Sequence, residues 1–218
     1  MKKTHFKRIF LLIISGFSII FFAGDLYTQE VKKAKKEDIY SNIYSIEAYN
    51  RLQTMPDTFL IDVRTRAEYQ FVGHPERAYL FPFMFMTTRL AKSGEGYEYQ
   101  FNQNTAFIEE INKKFKKKDN LLIICRDGKR SALAAEELVK NGFENVFNIK
   151  DGFEGKKFPY NEDADLDKWY KSLAKQNDVT GFKHRRHDGW QWWGLPWTYE
   201  MDPTYLYPPD LPKNISQQ

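Results

Sequence analysis

The chain has 218 residues, of which 42% are hydrophobic, enough for one well-packed core with extensions. Its formal net charge is +4, but residues 1–36 hold eight basic residues against two acidic ones, which leaves about −2 for the remainder. This distribution gives no support to nucleic-acid binding. A single cysteine excludes an internal disulfide, and without a metal or cofactor motif we expect neither group.

The N-terminal residues 1–27 are typical of a secretory signal or a membrane anchor. A basic start is followed by the apolar run 9–23. The small residues that signal cleavage needs are poorly placed, which favours retention as an anchor, with a cleaved signal as the alternative. We therefore predict an exported protein, anchored at the periplasmic face of the inner membrane or, after cleavage, soluble in the periplasm. A charged linker, 28–42, follows.

The next segments alternate between helical and strand patterns. Residues 45–52 predict a short helix and residues 58–63 a strand. Asp62 and Arg64 lie at the carboxyl end of that strand, where open parallel sheets form their ligand crevices. We expect Arg64 to form an ion pair with Glu68 that holds the loop, and a supporting role for Asp62 and Arg64 in substrate binding is the alternative.

Residues 82–103 form an insertion rich in methionine and aromatic residues. Two interpretations stay open: a loop that walls the substrate pocket, or a hairpin or flap packed over the core. A helix at 105–115 follows, and the lysine-rich run 113–118 predicts a solvated face and a turn.

The sole cysteine, Cys125, lies between a predicted strand and a predicted helix. The apolar run 121–124 predicts a buried strand, and the spacing within 131–142 predicts a helix that a glycine closes. The first N–H groups of that helix and its dipole favour an anion at the sulfur. Three basic residues and one acidic residue share the loop: Arg126, Lys129, Arg130 and Asp127. This arrangement predicts a nucleophilic thiolate in an anion-binding loop.

The loop resembles the active-site loop of rhodanese-like sulfurtransferases, which reads Cys, Arg, any residue, Gly, any residue, Arg, then Ser or Thr. The matching positions are Cys125, Arg126, Gly128, Arg130 and Ser131. The resemblance covers roughly 43–155 and includes the segments around Asp62, Gly73 and Asp151, although Asp151 replaces a glycine of the family pattern. It implies an α/β domain at 43–160 with an open, mostly parallel sheet flanked by helices.

The same resemblance implies a sulfurtransferase. Cys125 would take sulfane sulfur from a small sulfur-containing anion such as thiosulfate and pass it, as a persulfide, to a thiol or another thiophilic acceptor. Substrate binding is implied for the rest of the loop: Arg126, Asp127, Gly128, Lys129, Arg130 and Ser131. For Ser131 we favour helix capping over a contact with the persulfide, and His74 is expected to order its loop through a hydrogen bond.

Two rival functions stay open. Phosphatases and arsenate reductases resemble a pattern with five residues between Cys and Arg, whereas four separate Cys125 from Arg130. The shorter loop favours a single sulfur atom over a tetrahedral oxyanion. A membrane-tethered binding or assembly subunit would keep the loop without turnover.

Residues 161–218 form an extension rich in aromatic residues and proline. All five tryptophans lie after residue 168. The prolines exclude a long helix or a central strand in its last part, so we expect an irregular segment that wraps the domain. Contact with an exported partner protein or a membrane surface is the alternative. His184 and His187 have no further ligands at suitable spacing, so no metal site is predicted.

Overall fold

The computed structural model describes residues 39–94, 96–157, 164–177 and 186–211. The predicted anchor, most of the predicted linker and His184 lie outside the described residues. Within the described ranges, no helix is long and apolar enough to cross a membrane.

The elements in chain order are β1 Ser41–Ile43, α1 Ser45–Thr54, β2 Thr58–Asp62, α2 Arg66–Phe71, β3 His74–Pro75, β4 Tyr79–Leu80, β5 Met84–Ser93, β6 Gly96–Gln103, α3 Phe107–Lys114, β7 Asn120–Ile124, α4 Lys129–Lys140, β8 Asn145–Ile149, β9 Lys156–Lys157, α5 Ala164–Gln176, β10 Arg186–His187, α6 Gly189–Trp192 and β11 Trp197–Thr198. Two 3-10 turns follow, at Pro203–Tyr205 and Pro208–Asp210. Strand β1 includes residues 41 and 42, which the sequence pattern assigns to the linker.

The central sheet has five strands in the order β1-β8-β7-β2-β4, and every neighbouring pair is parallel. This confirms the predicted open, mostly parallel α/β sheet. Strands β2 and β7 are neighbours, with Asp62 paired with Ile124. Because parallel strands end at the same edge of a sheet, the residues that follow them, Arg64 and Cys125, come together at that edge.

Successive residues of β7 pack on opposite faces of the sheet. Leu121 and Ile123 belong to a first core cluster, which helices α3 and α4 cover. Leu122 and Ile124 belong to a second cluster, which α1 and the C-terminal extension cover. Burial on both faces explains why the strand is a continuous apolar run in the sequence.

The C-terminal extension contributes to both core clusters. Trp190 and Leu195 are buried in the second cluster, and Tyr207 is buried in the first. Trp197 pairs with Pro75 in a two-stranded sheet made by β11 and β3. The predicted irregular segment that wraps the domain is therefore confirmed for these residues. Helix α5 belongs to the same extension, and the composition of the extension did not predict it.

The insertion at 82–103 is an antiparallel hairpin, formed by β5 and β6, with a two-stranded sheet of its own. Met84 and Phe85, at its base, pack against the first core cluster. Most of the side chains beyond the base are exposed. The hairpin interpretation is right, but packing over the core holds only for the base.

Candidate active site

Cys125 lies directly after β7, at the start of the loop that leads into α4. Its side chain is 0% exposed and carries a free thiol. The Ser131 hydroxyl donates a hydrogen bond to the cysteine sulfur, with Oγ and Sγ 3.3 Å apart. The sulfur is therefore held at the first turn of a helix, where several backbone N–H groups have no partner within the helix.

Gly128 determines where helix α4 begins. It is the N-cap residue and has a φ of +88°, a left-handed conformation that glycine adopts without strain. A β-carbon at this position would lie 2.2 Å from the carbonyl oxygen of Lys150. The helix therefore starts ahead of Ser131, and the predicted capping role of Ser131 is wrong: its hydroxyl contacts the sulfur of Cys125.

The segment after β8 supports the loop from behind. The N–H of Phe153 donates to the carbonyl oxygen of Cys125 over 2.8 Å, and the N–H of Glu154 donates to that of Arg126 over 3.0 Å. A β-carbon on Gly152 would lie 2.6 Å from the carbonyl carbon of Arg126. The loop and this segment touch through their backbones, which fixes the position of the cysteine.

Asp151 ties this segment to two distant parts of the chain. Its Oδ1 accepts hydrogen bonds from the N–H and the hydroxyl of Ser45, both at 2.9 Å. Its Oδ2 accepts from the N–H of Gly189 and the indole N–H of Trp193, both at 3.2 Å. The carboxylate is fully buried, and four donors compensate its burial. The residue that departs from the family pattern thus connects α1 and the extension behind the loop.

The basic residues of the loop have two different environments. The Arg126 side chain is 45% exposed, with its Nη2 3.8 Å from Asp127, and Lys129 is exposed as well. Arg130 donates instead to Glu68, with Nη1–Oε2 at 2.8 Å and Nη2–Oε1 at 2.5 Å. Arg126 and Lys129 are therefore the cations open to an approaching anion, while the charge of Arg130 is matched by a carboxylate.

The predicted ion pair between Arg64 and Glu68 is wrong. Arg64 is fully buried and donates to Asp62, with Nε–Oδ1 at 3.0 Å and Nη2–Oδ2 at 2.6 Å. Its guanidinium lies over the Phe153 ring, 4.2 Å from the centroid. Asp62 Oδ1 also accepts from the backbone N–H of Arg64 over 3.0 Å, so the backbone and the side chain of Arg64 both contact the residue that ends β2. Phe153 connects this pair to the loop, since its N–H donates to the carbonyl oxygen of Cys125. The supporting role of the pair in substrate binding stays a prediction.

Glu68 is the site residue that the sequence analysis missed as the partner of Arg130. The capping box of α2 was the available signal: Thr65 is the N-cap, and the Glu68 carboxylate accepts from the N–H and the hydroxyl of Thr65 at 3.0 and 2.8 Å. Burial alone would raise the pKa of Glu68, but the hydrogen bonds and charge of Arg130, together with the bonds from Thr65, lower it from 4.5 to about 2.

This shift predicts an acid-sensitive contribution to stability. A carboxyl with a lowered pKa in the folded state stabilises the protein fully above its unfolded pKa and loses that effect as the pH falls from 4.5 towards 2. The stability difference between the wild type and Glu68→Gln should therefore shrink by up to about 3 kcal/mol across this range. Urea unfolding of both proteins at several pH values measures it. A stability difference that does not change with pH would contradict the pairing of Glu68 with Arg130.

His74 orders the loop before β4, as predicted. Its Nδ1 lies 3.1 Å from the carbonyl oxygen of Tyr69, and the two rings stack with centroids 3.6 Å apart. Burial lowers the pKa of His74, although the contact with the Tyr69 carbonyl acts in the opposite direction. The Tyr69 hydroxyl in turn donates to the carbonyl oxygen of Ala78 over 2.8 Å.

Comparison with known proteins agrees with this geometry. A family model described as the STR4 middle domain matches residues 40–173. The chain is 38% identical over 114 residues to an uncharacterised protein of Rickettsia rickettsii, covering 52% of this chain and 84% of that protein. It is 31% identical over 93 residues to rhodanese-like domain-containing protein 15, chloroplastic, of Arabidopsis thaliana, covering 43% of this chain and 45% of that protein.

A solved structure shares the fold. The crystal structure of Rv0390 from M. tuberculosis superposes with a TM-score of 0.51 at 26% identity, covering 74% of this chain and 99% of the other. The residues that the family model matches, 40–173, include the parallel sheet and the cysteine loop that follows β7. On the family match, the relatives and the fold together, this chain belongs to the rhodanese-like family.

Proposed function

We propose that this chain is a sulfurtransferase that carries sulfane sulfur on Cys125. In the first step the thiolate attacks the outer sulfur of a donor such as thiosulfate. The donor S–S bond breaks, sulfite leaves with the bonding electron pair, and a Cys125 persulfide remains. In the second step a thiophilic acceptor attacks the outer sulfur of the persulfide, and Cys125 recovers its thiolate.

The position of the cysteine sulfur is the observation that carries the proposal. Sγ is buried at the first turn of α4 and accepts the hydrogen bond from Ser131. A persulfide would extend the side chain by one S–S bond of about 2 Å, towards the N–H groups that open the helix. These groups and the Ser131 hydroxyl would stabilise the persulfide anion.

The exposed cations supply the recognition of the donor. Arg126 and Lys129 flank the loop on its solvent side and would attract a dianion such as thiosulfate. They would also stabilise the negative charge that develops on the leaving sulfite. Asp127 Oδ2 lies 3.8 Å from Arg126 Nη2 and offsets part of that charge, so Lys129 is the cation of this pair with no carboxylate assigned to it among the described residues.

The environment of Arg130 argues against a phosphatase or an arsenate reductase. A tetrahedral oxyanion is best held by a guanidinium that offers both terminal nitrogens. Both terminal nitrogens of Arg130 donate to Glu68. With only four residues between Cys125 and Arg130, the loop also leaves little room for such an anion. Sulfur chemistry therefore fits this loop better.

The proposed location is the periplasmic side of the inner membrane, and it rests on the sequence of residues 1–27 alone. The chain has no second cysteine that could take the outer sulfur of the Cys125 persulfide, so this sulfur must pass to another molecule. The acceptor is therefore a separate molecule.

The deciding experiment is the intact mass of the full-length protein after incubation with thiosulfate. We expect a gain of one sulfur atom, which cyanide removes as thiocyanate, and no gain for Cys125→Ser. Ser131→Ala is expected to accumulate less persulfide at the same thiosulfate concentration, because the persulfide anion has lost one hydrogen-bond donor. No gain with thiosulfate or polysulfide would favour a binding subunit, and hydrolysis of a phosphate ester would favour the phosphatase.

A further inference from the structure

The hairpin of β5 and β6 carries an apolar face that lies open to solvent. Residues paired across an antiparallel ladder share a face, and the pairs are Met86 with Phe101, Leu90 with Tyr99, and Lys92 with Tyr97. We call these six residues the hairpin face. Its five apolar members are each between 43% and 70% exposed. Contiguous apolar surface of this kind is uncommon on soluble monomers unless it binds something.

The hairpin face begins at the cysteine loop. The ring centroid of Phe101 lies 5.8 Å from the guanidinium carbon of Arg130, the loop residue that Glu68 holds. The base of the hairpin is fixed by backbone hydrogen bonds, from Asn104 N–H to the Phe83 carbonyl at 2.9 Å and from Phe83 N–H to the Val63 carbonyl at 3.1 Å. A molecule on the hairpin face would therefore lie beside the opening of the loop.

Exposed cations lie at both ends of this surface. Lys92 is at the far end of the hairpin face, opposite Tyr97, and Lys129 is at the near end, next in the chain to Arg130, whose own charge is paired with Glu68. Arg126 is exposed in the same loop, with Asp127 3.8 Å from its Nη2. A second copy of this chain, bound through the same face, would bring basic ends together, which is unfavourable in an isologous contact. An acidic partner with apolar side chains is complementary to this surface.

We propose that the hairpin face binds the sulfur acceptor, and that this acceptor is a protein or peptide whose thiol is flanked by apolar and acidic residues. The inference rests on the proposed sulfurtransferase function. The acceptor thiolate attacks the outer sulfur of the Cys125 persulfide, and the S–S bond of the persulfide breaks. Cys125 regains its thiolate while the acceptor leaves as a persulfide. Because the sulfur of Cys125 is buried, transfer requires an acceptor held close to the loop.

Binding is tested first without sulfur chemistry. The probe is a short fluorescent peptide of Leu, Phe, Asp and Glu around a single Ser, and its matched counterpart carries Lys in place of the acids. Fluorescence anisotropy with the full-length protein should show binding of the acidic peptide that salt weakens. Leu90→Ser and Tyr97→Ser should each reduce the affinity about tenfold, since each removes a large apolar contact. Phe71→Ser is the control, because Phe71 is 74% exposed on α2.

Transfer is tested with the same peptide carrying Cys in place of Ser. The hairpin variants should slow sulfur transfer to this peptide and leave transfer to cyanide at the wild-type rate. Equal binding of the basic peptide, or an equal loss of affinity in Phe71→Ser, would overturn the inference. So would Leu90-dependent binding to phosphatidylglycerol vesicles, or a dimer that Leu90→Ser dissociates. If Cys125 takes up no sulfur, the proposed function fails while the anisotropy result still decides the surface.

Discussion

Gly128→Ala is expected to destabilise the protein by more than about 4 kcal/mol and to remove persulfide formation. An alanine β-carbon would lie 2.2 Å from the carbonyl oxygen of Lys150 and 2.6 Å from its carbonyl carbon. These are backbone atoms, and the N–H of Lys150 is itself bonded to the carbonyl oxygen of Ile43 over 2.9 Å. Relief therefore requires the loop to move away from the sheet, which displaces Cys125.

Gly142→Ala is the matched control for this substitution. Gly142 has a φ of +86°, nearly that of Gly128 at +88°, but its β-carbon would meet nothing within 4 Å. Its cost should be that of the left-handed conformation alone, about 1 to 2 kcal/mol. Urea unfolding followed by circular dichroism measures the stability of both variants. Intact mass after thiosulfate treatment measures whether Cys125 still forms a persulfide. Equal losses of stability in the two variants would show that the close approach of Gly128 to Lys150 does not determine the position of the loop.

The parts of the fold that the sequence predicted depend on local information. The apolar run before Cys125 predicted β7 because a strand buried on both faces is apolar throughout. The charged loop between this strand and α4 predicted the site because its residues are adjacent in the chain. The start of α4 was misplaced because it depends on Gly128, whose close approach to Lys150 is a tertiary contact.

Two of the contacts that the sequence did not predict join distant residues, and a third, between Asp62 and Arg64, is local. Glu68 and Arg130 are 62 positions apart, and the register of the sheet brings them together. The Arg64–Glu68 prediction failed because Asp62 is closer to Arg64 along the chain and shares its burial. Asp151 and Ser45 are 106 positions apart. In each case several charged or polar partners were available, and only packing selects one of them.

Exposure of the hairpin face is also a tertiary property. Methionine and aromatic residues in 82–103 predicted either a pocket wall or a hairpin packed over the core, and the base of the hairpin does pack against the core. Beyond the base, β5 and β6 pair with each other and with no other strand among the described residues. Two-stranded hairpins are marginal on their own, so a long exposed one is more easily explained by a partner than by stability. The apolar residues of the core are explained by stability, whereas those of the hairpin face are better explained by binding.

Trp190→Ala is expected to lower the free energy of unfolding by about 3 to 5 kcal/mol, and Trp192→Ala by less than about 0.5 kcal/mol. Trp190 is 1% exposed in the second core cluster, whereas Trp192 is 61% exposed. The indole N–H of Trp190 donates to the Pro196 carbonyl over 2.9 Å, so truncation also leaves that carbonyl without this donor. The two variants remove the same type of side chain from the same short helix and differ in its burial and in this hydrogen bond.

The expected loss also reaches the active site. The backbone N–H of Trp190 donates to the carbonyl oxygen of Gly152 over 2.8 Å, and Gly152 packs against the backbone of the cysteine loop at Arg126. Sulfur transfer to cyanide at increasing temperature should therefore fail earlier in Trp190→Ala than in Trp192→Ala, in step with unfolding. Wild-type stability in Trp190→Ala would mean that the extension is not part of the core. Normal stability with lost transfer would instead place the effect of Trp190 in the loop alone.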